Sequence, residues 1–181
     1  MTDQYFKEAQ EELQLGVNKK GHPFRYTTMG TVDASGVPAL RTVVLRQVTE
    51  DFKLRIYTDS RSNKVAQLLQ NDVTSLLFYH PKKLLQIKVT GNASIITDPV
   101  ELQRYYSGVQ PSSKKDYTTT DAPGAEISNP DAVDYLENTH YFTIIEITPT
   151  HLEFLQLKRP NHIRASFTLE DGTWNGQFLN P

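Results

Sequence analysis

The chain has 181 residues, 38% of them hydrophobic and 22% charged, with a net charge of -2 and a pI near 6.2. That length suits one ordinary domain with a real core, and the charge balance lacks the basic field expected of a nucleic-acid binder. No cysteine is present, which excludes disulfides, thiolate metal sites, iron–sulfur clusters and a cysteine nucleophile.

The start carries no basic leader followed by an apolar region, and no run is apolar for long enough to span a bilayer. The expectation is a single cytoplasmic domain over 1–181 with no membrane partner. Residues 3–18, "DQYFKEAQEELQLGVN", have a helical period with Phe6, Leu13 and Val17 near one face. Gly21-His22-Pro23 breaks the pattern. "RYTTMGTVDASGVPALRTVVLRQV" reads as two strands joined at Asp33-Ala34-Ser35-Gly36, a hairpin with glycine in the turn. "FKLRIYTD" is another strand. Ser60 to Asn71 reads as a helix capped by Ser60 or Ser62, with Val65, Leu68 and Leu69 as its buried stripe.

"VTSLLFYH" and "LLQIKVTGNASII" follow as strands around Pro81. Asp98-Pro99 opens a helix through Tyr106, because proline in the first turn forfeits no hydrogen bond. The polar stretch 107–127 reads as a long mobile loop, of the kind that is often functional. Asn129-Pro130 starts a short helix to Asn138. Four strand-like runs close the chain, "YFTIIEIT", "HLEFLQL", "HIRASFTLE" and "WNGQFL", with Asp171-Gly172 as a hairpin turn. Strands joined mostly by short turns make a largely antiparallel sheet, and the order is not βαβα. The predicted fold class is mainly β with helices (α+β), a closed or nearly closed β-barrel.

Four stretches carry candidate chemistry. In "RTVVLR", Arg41, Val43 and Leu45 share one face, and Thr42, Val44 and Arg46 the other. Cations at both ends of so apolar a strand either reach solvent or meet an anion. In "IYTDSRSNKVAQLLQND", Arg61, Ser62, Asn63 and Lys64 gather where a strand hands over to a helix. A helix N-terminus exposes unpaired N–H groups and favours phosphate, although a capped surface helix explains the same residues. Gln86 interrupts the apolar strand "LLQIKVTG"; its amide both donates and accepts, which suits a heterocycle or a neighbouring backbone. In "HIRASFTLE", His162 and Arg164 fall on the polar face. His22, His80, His140 and His151 show no metal-ligand spacing, so no metal site is expected and no catalytic residue is assigned.

Taken in order, "RTVVLR", "IYTDSRSNK", "LLFYH", "LLQIKVTG", "HIR" and "WNGQFLNP" resemble the pyridoxamine 5'-phosphate oxidase-like flavoproteins, from about residue 25 to Pro181. The resemblance implies an FMN-binding split β-barrel working as a homodimer, with FMN at the interface and a small-molecule substrate. It assigns Arg41 to the FMN phosphate and Thr42, Val43 and Val44 to the flavin ring. Tyr57 and Thr58 match the family's Y-T pair. Ser62-Asn63-Lys64 matches its S-R-K loop, with Arg61 as the compensating cation for Asn63. Gln86 is placed at the ring and Arg164 at FMN. Arg46 and His162 fall on the substrate side. The departures are also on that side: Arg46 stands for a lysine, Pro160 for an arginine and Leu155 for a flavin-stacking tryptophan, while Phe178 replaces an arginine of the C-terminal motif. The expected function is an FMN-dependent oxidoreductase of unassigned substrate. The alternatives are a true pyridoxamine/pyridoxine 5'-phosphate oxidase, or a non-catalytic flavin- or haem-binding protein with His162 or His80 as the haem ligand.

Overall fold

The computed structural model describes residues 1–181. It contains eight strands: β1 (Tyr26–Val32), β2 (Pro38–Val48), β3 (Leu54–Asp59), β4 (Val73–His80), β5 (Leu85–Ile96), β6 (Phe142–Gln156), β7 (Ile163–Glu170) and β8 (Thr173–Phe178). The helices are α1 (Asp3–Asn18), α2 (Asn63–Gln70), α3 (Pro99–Ser107) and α4 (Pro111–Lys114), with short 3-10 turns at Pro23–Arg25 and Lys115–Tyr117. Strands neighbour one another in the order β3-β2-β1-β4-β5-β6, and β6 pairs back onto β3. All pairs are antiparallel. Six strands therefore close into a barrel, while β7 and β8 extend the sheet outward from β6.

Alternation in sequence sets the inside and the outside. In β1, Thr27, Met29 and Thr31 are buried, whereas Tyr26, Thr28 and Gly30 face outward. Leu45, Leu54, Ile56, Leu76, Phe78, Ile87, Val89, Ile145 and Leu152 join Met29 in one core. Helix α1 lays Ala9 and Leu13 into that core, and Phe6 and Val17 pack at its margin. A smaller cluster of Tyr117, Phe142 and Ile144 lies beyond it, with Tyr105 and Tyr106 from α3 packed against it. Asp98 caps α3 by accepting from Glu101 N at 2.7 Å. No helix is long and apolar enough to cross a membrane.

Several expectations need correction. "YFTIIEIT" and "HLEFLQL" form one 15-residue strand, β6. The strand passes Pro149 at an irregularity opposite Thr90 and Gly91, and so turns a barrel corner without ending. The helix expected from Asn129 to Asn138 does not form; its backbone instead pairs with the segment before it, Leu136 N to Thr118 O and Thr120 N to Asp134 O. Residues 107–127 include α4 and a 3-10 turn that buries Tyr117. Helix α2 begins at Asn63, not Ser60, and Leu69 is 72% exposed because its face of this eight-residue helix turns away from the barrel. Ser62 takes the N-cap position without a capping bond; its hydroxyl lies 3.4 Å from Thr58 Oγ1.

Candidate functional site

The site begins where the barrel opens. Strand β2 pairs with β3 only from Leu45 opposite Ile56 to Val48 opposite Leu54. Beyond that point Thr42–Val44 stay with β1, and Tyr57–Asp59 stay with β6. The separation leaves a cleft of about 390 Å³. Thr42, Val43 and Val44 line one side, and Tyr57, Thr58 and Lys64 the other. Arg46 stands at the wall they share, and Asp116, Tyr117 and Pro123 supply a third side from the segment after α4.

Lys64 lines the cleft at the α2 end, and Arg41, itself outside that lining, reaches Gln67 of the same helix. Arg41 points inward from β2 and reaches only neutral groups: Nη1 donates to Thr31 Oγ1 at 2.5 Å, and Nη2 to Gln67 Oε1 at 3.0 Å. Gln67 is on α2, so Arg41 ties that helix to the barrel mouth. Lys64, one turn earlier, donates to Thr58 Oγ1 at 2.9 Å. Burial holds the Lys64 ammonium below its ordinary 10.5, and the charge of Arg41 pushes the same way. Burial also lowers Arg41. Neither side chain is in a salt bridge. Two like charges near one another, half-buried and without a carboxylate partner, carry an electrostatic cost that a bound anion removes. The N-terminal amides of α2 add to the same field.

The wall formed by Arg46, Tyr57 and Tyr117 is cationic and aromatic. Arg46 lies with its guanidinium carbon 5.8 Å from the Tyr57 ring centre, and its buried Nε has no hydrogen-bond partner. Burial raises the phenols of Tyr57 and Tyr117 above their usual range, so both remain hydrogen-bond donors at neutral pH.

Arg61 does not join the cation pair. Its guanidinium donates to Asp59 and to the backbone oxygens of Thr119, Thr120 and Asp121, and it stacks 3.4 Å from the Tyr141 ring centre. Asn63 opens α2 at an exposed position, its amide near Gly124. Gln86 and Arg164 lie on the outer face of another part of the sheet, in a row Tyr79–Gln86–Leu155–Arg164 across β4, β5, β6 and β7. Arg164 donates to Glu153 at 3.1 Å. His162 sits in the loop before β7, where its Nδ1 accepts from Lys158 N. Within one chain, Arg41, Arg61, Ser62, Asn63, Gln86, Arg164 and His162 are not part of the cleft lining. Sequence reasoning missed Gln67, Asp116 and Tyr117. Only Tyr117, an aromatic residue in an otherwise polar stretch, left a signal there.

The chain matches the family model for the pyridoxamine 5'-phosphate oxidase FMN-binding domain over residues 4–97. It is 30% identical over 172 residues to the pyridoxine/pyridoxamine 5'-phosphate oxidase of Acinetobacter baumannii strain SDF, covering 85% of this chain and 77% of that protein. The enzyme of the same name from Bacteroides thetaiotaomicron is 31% identical over 170 residues, covering 84% and 78%. Among solved structures, a pyridoxamine 5'-phosphate oxidase-related FMN-binding protein from Nostoc punctiforme superposes with a TM-score of 0.81 at 22% identity, covering 98% of this chain and 97% of that one. PhzG from Burkholderia lata, solved with tetrahydrophenazine-1-carboxylic acid, superposes at 0.78 and 18% identity, covering 97% and 90%. With the closed antiparallel barrel and its split between β2 and β3, these matches place the chain in the pyridoxamine 5'-phosphate oxidase-like FMN-binding family.

Proposed function

We propose that this chain is a cytoplasmic FMN-dependent oxidoreductase that works as a homodimer on a small organic substrate. The observation that carries the reading is the pair Arg41 and Lys64, two half-buried cations with no carboxylate partner beneath the start of α2. A phosphate fits them: it accepts several charge-assisted hydrogen bonds and neutralises both. Lys64, Arg41 and Thr58 then hold the phosphate, and the backbone of Thr42–Val44 borders the ring. Bound flavin supplies the two-electron chemistry, while the barrel supplies position and field. Arg46, Tyr57 and Tyr117 are left to orient substrate, as one cation and two neutral donors.

The dimer completes the site. Tyr26, Leu40, Val73, Leu77 and Tyr79 expose 60%, 72%, 49%, 40% and 50% of their surface on the outer face of β1, β2 and β4. An apolar patch of this kind marks an interface. Gln86 and Arg164 stand on the same outer surface, where a second copy brings them to the cofactor of its neighbour. Leu155 between them, and Pro160 near by, withhold the bulky stack and the cation expected for pyridoxamine phosphate, so a different substrate is favoured.

The test is the visible spectrum of purified protein with and without added FMN. Flavin bands that appear stoichiometrically, and are lost in the double variant Arg41→Ala/Lys64→Ala, support the reading. A folded protein that stays colourless in FMN removes it, and a Soret band redirects it to haem.

A further inference from the structure

A second polar cluster lies away from the cleft. Glu12 on the buried face of α1, His22 in the loop that follows and His80 at the end of β4 bring one ligand atom each within 4.8 Å of one another. Sequence spacing had pointed to no metal site, because the three residues come from distant segments. Glu12 and His22 are 3% and 7% exposed. Glu12 Oε1 is paired with Lys83, but Glu12 Oε2 has no hydrogen bond although it is buried. That orphan oxygen is 3.2 Å from His22 Nε2 without the alignment of a hydrogen bond. Ligand bonds of about 2.0–2.1 Å at tetrahedral angles put neighbouring donor atoms about 3.3 Å apart. The two atoms are therefore spaced as two corners of a coordination sphere.

The ring orientations set a cost. His22 Nδ1 accepts from Phe24 N at 3.2 Å, and His80 Nδ1 accepts from Lys83 N at 3.3 Å, so the proton of each neutral ring is on Nε2 until an ion takes its place. Coordination through Nε2 moves the ring proton to Nδ1 and gives up these two long bonds, so the site is weaker than a dedicated structural zinc centre. Lys83 is the second restraint. Its ammonium neutralises Glu12, and its side chain is 44% exposed and free to swing into water.

The geometry points to a binding site for one zinc-type divalent ion on Glu12, His22 and His80, formed when the ion displaces Lys83 from Glu12. Two imidazoles and one carboxylate suit zinc, cobalt, nickel or copper, and disfavour calcium or magnesium. The ion ties α1 to the end of β4 and so closes the helix over the barrel.

The experiment uses the full chain without a polyhistidine tag. Zinc alone is titrated by calorimetry, cobalt alone by its visible absorption, and the thermal midpoint is read with and without zinc. The expected result is one ion per chain, a raised midpoint, and a loss of affinity of more than about tenfold in His80→Ala, which is only partly buried and leaves α1 its packing. Lys83→Met removes the competitor and tightens binding. Absence of a stoichiometric ion overturns the proposal. So does binding that His80→Ala and His22→Ala leave unchanged, or that Lys83→Met weakens. Circular dichroism identifies any variant that has merely unfolded, and His80→Gln then replaces it.

Discussion

Arg61 and Asp59 grip each other through three hydrogen bonds. Arg61 N and Nε donate to Asp59 Oδ1 at 2.8 and 3.1 Å, and Nη2 donates to Oδ2 at 2.7 Å. Asp59 is 3% exposed, so its charge requires a partner, and Arg61 is the one two residues away. The rest of the guanidinium holds the carbonyls of Thr119, Thr120 and Asp121. These carbonyls belong to the segment that carries Asp116 and Tyr117 to the cleft. Arg61 thus positions a wall of the site.

That role separates Arg61 from a phosphate ligand. In Arg61→Ala the preference for FMN over riboflavin is unchanged, since the two differ only in the phosphate. Limited proteolysis between residues 118 and 138 accelerates. A selective loss of FMN affinity, with the segment still protected, contradicts the assignment.

Arg41 and Lys64 behave oppositely. Arg41→Ala or Lys64→Ala weakens FMN by about 10- to 150-fold, the equivalent of about 1.5–3 kcal/mol for a charge-assisted hydrogen bond. Riboflavin affinity stays nearly constant. Fluorescence quenching of both flavins on one protein preparation measures the difference.

Lys64 also sets a pH dependence. Burial and Arg41 place its folded-state pKa below the ordinary 10.5, so the unfolded chain binds this proton more readily. The FMN-free protein is therefore penalised below the depressed value, and it recovers stability as pH rises from there toward 10.5. Lys64→Met raises the thermal midpoint of the FMN-free protein at pH 7, and the gain shrinks in that alkaline window. Over the same range the FMN-over-riboflavin preference falls, because the ammonium that meets the phosphate is lost.

Gly91 sits where β5 passes the corner of β6. A Cβ there lies 2.2 Å from Thr148 O, a backbone atom that cannot swing aside. Gly91→Ala destabilises the barrel by about 2–4 kcal/mol, measured by urea unfolding. An alanine variant as stable as the parent shows that the corner has room to open.

Leu77 is central on the exposed apolar face. Leu77→Glu places charges opposite one another across the proposed two-fold interface and yields a monomer by light scattering. FMN binding weakens with it, because Gln86 and Arg164 then have no neighbouring cofactor to reach. A monomer that retains full FMN affinity contradicts the shared site.

Much of the barrel was legible because β1, β4 and most of β5 alternate buried and outward residues. The hairpin at Asp33–Gly36 forms as expected, with Gly36 at φ +83, and Asp171-Gly172 turns with both residues at positive φ. Pro149 misled the reading of β6: proline breaks a ladder in a regular sheet, but at a barrel corner an irregularity accommodates it. Leu69 misled the reading of α2, because an eight-residue helix buries only a narrow stripe, here Val65 and Leu68.

The sequence by itself determined most of the strand pattern, the capped start of α3, and the order of motifs that marks the family. Each depends on residues a few positions apart, where backbone period and local hydrogen bonding decide. Tertiary structure alone decided which cation faces the cleft. Arg61 and Lys64 are three residues apart and chemically similar, but the buried Asp59 carboxylate and the 119–121 carbonyls capture Arg61, while one turn of helix returns Lys64 to Thr58. Glu12, His22 and His80 met only when α1 closed on the end of β4. Side-chain direction at such places follows from long-range packing and from the need of every buried charge for a partner, and neither leaves a period in the sequence.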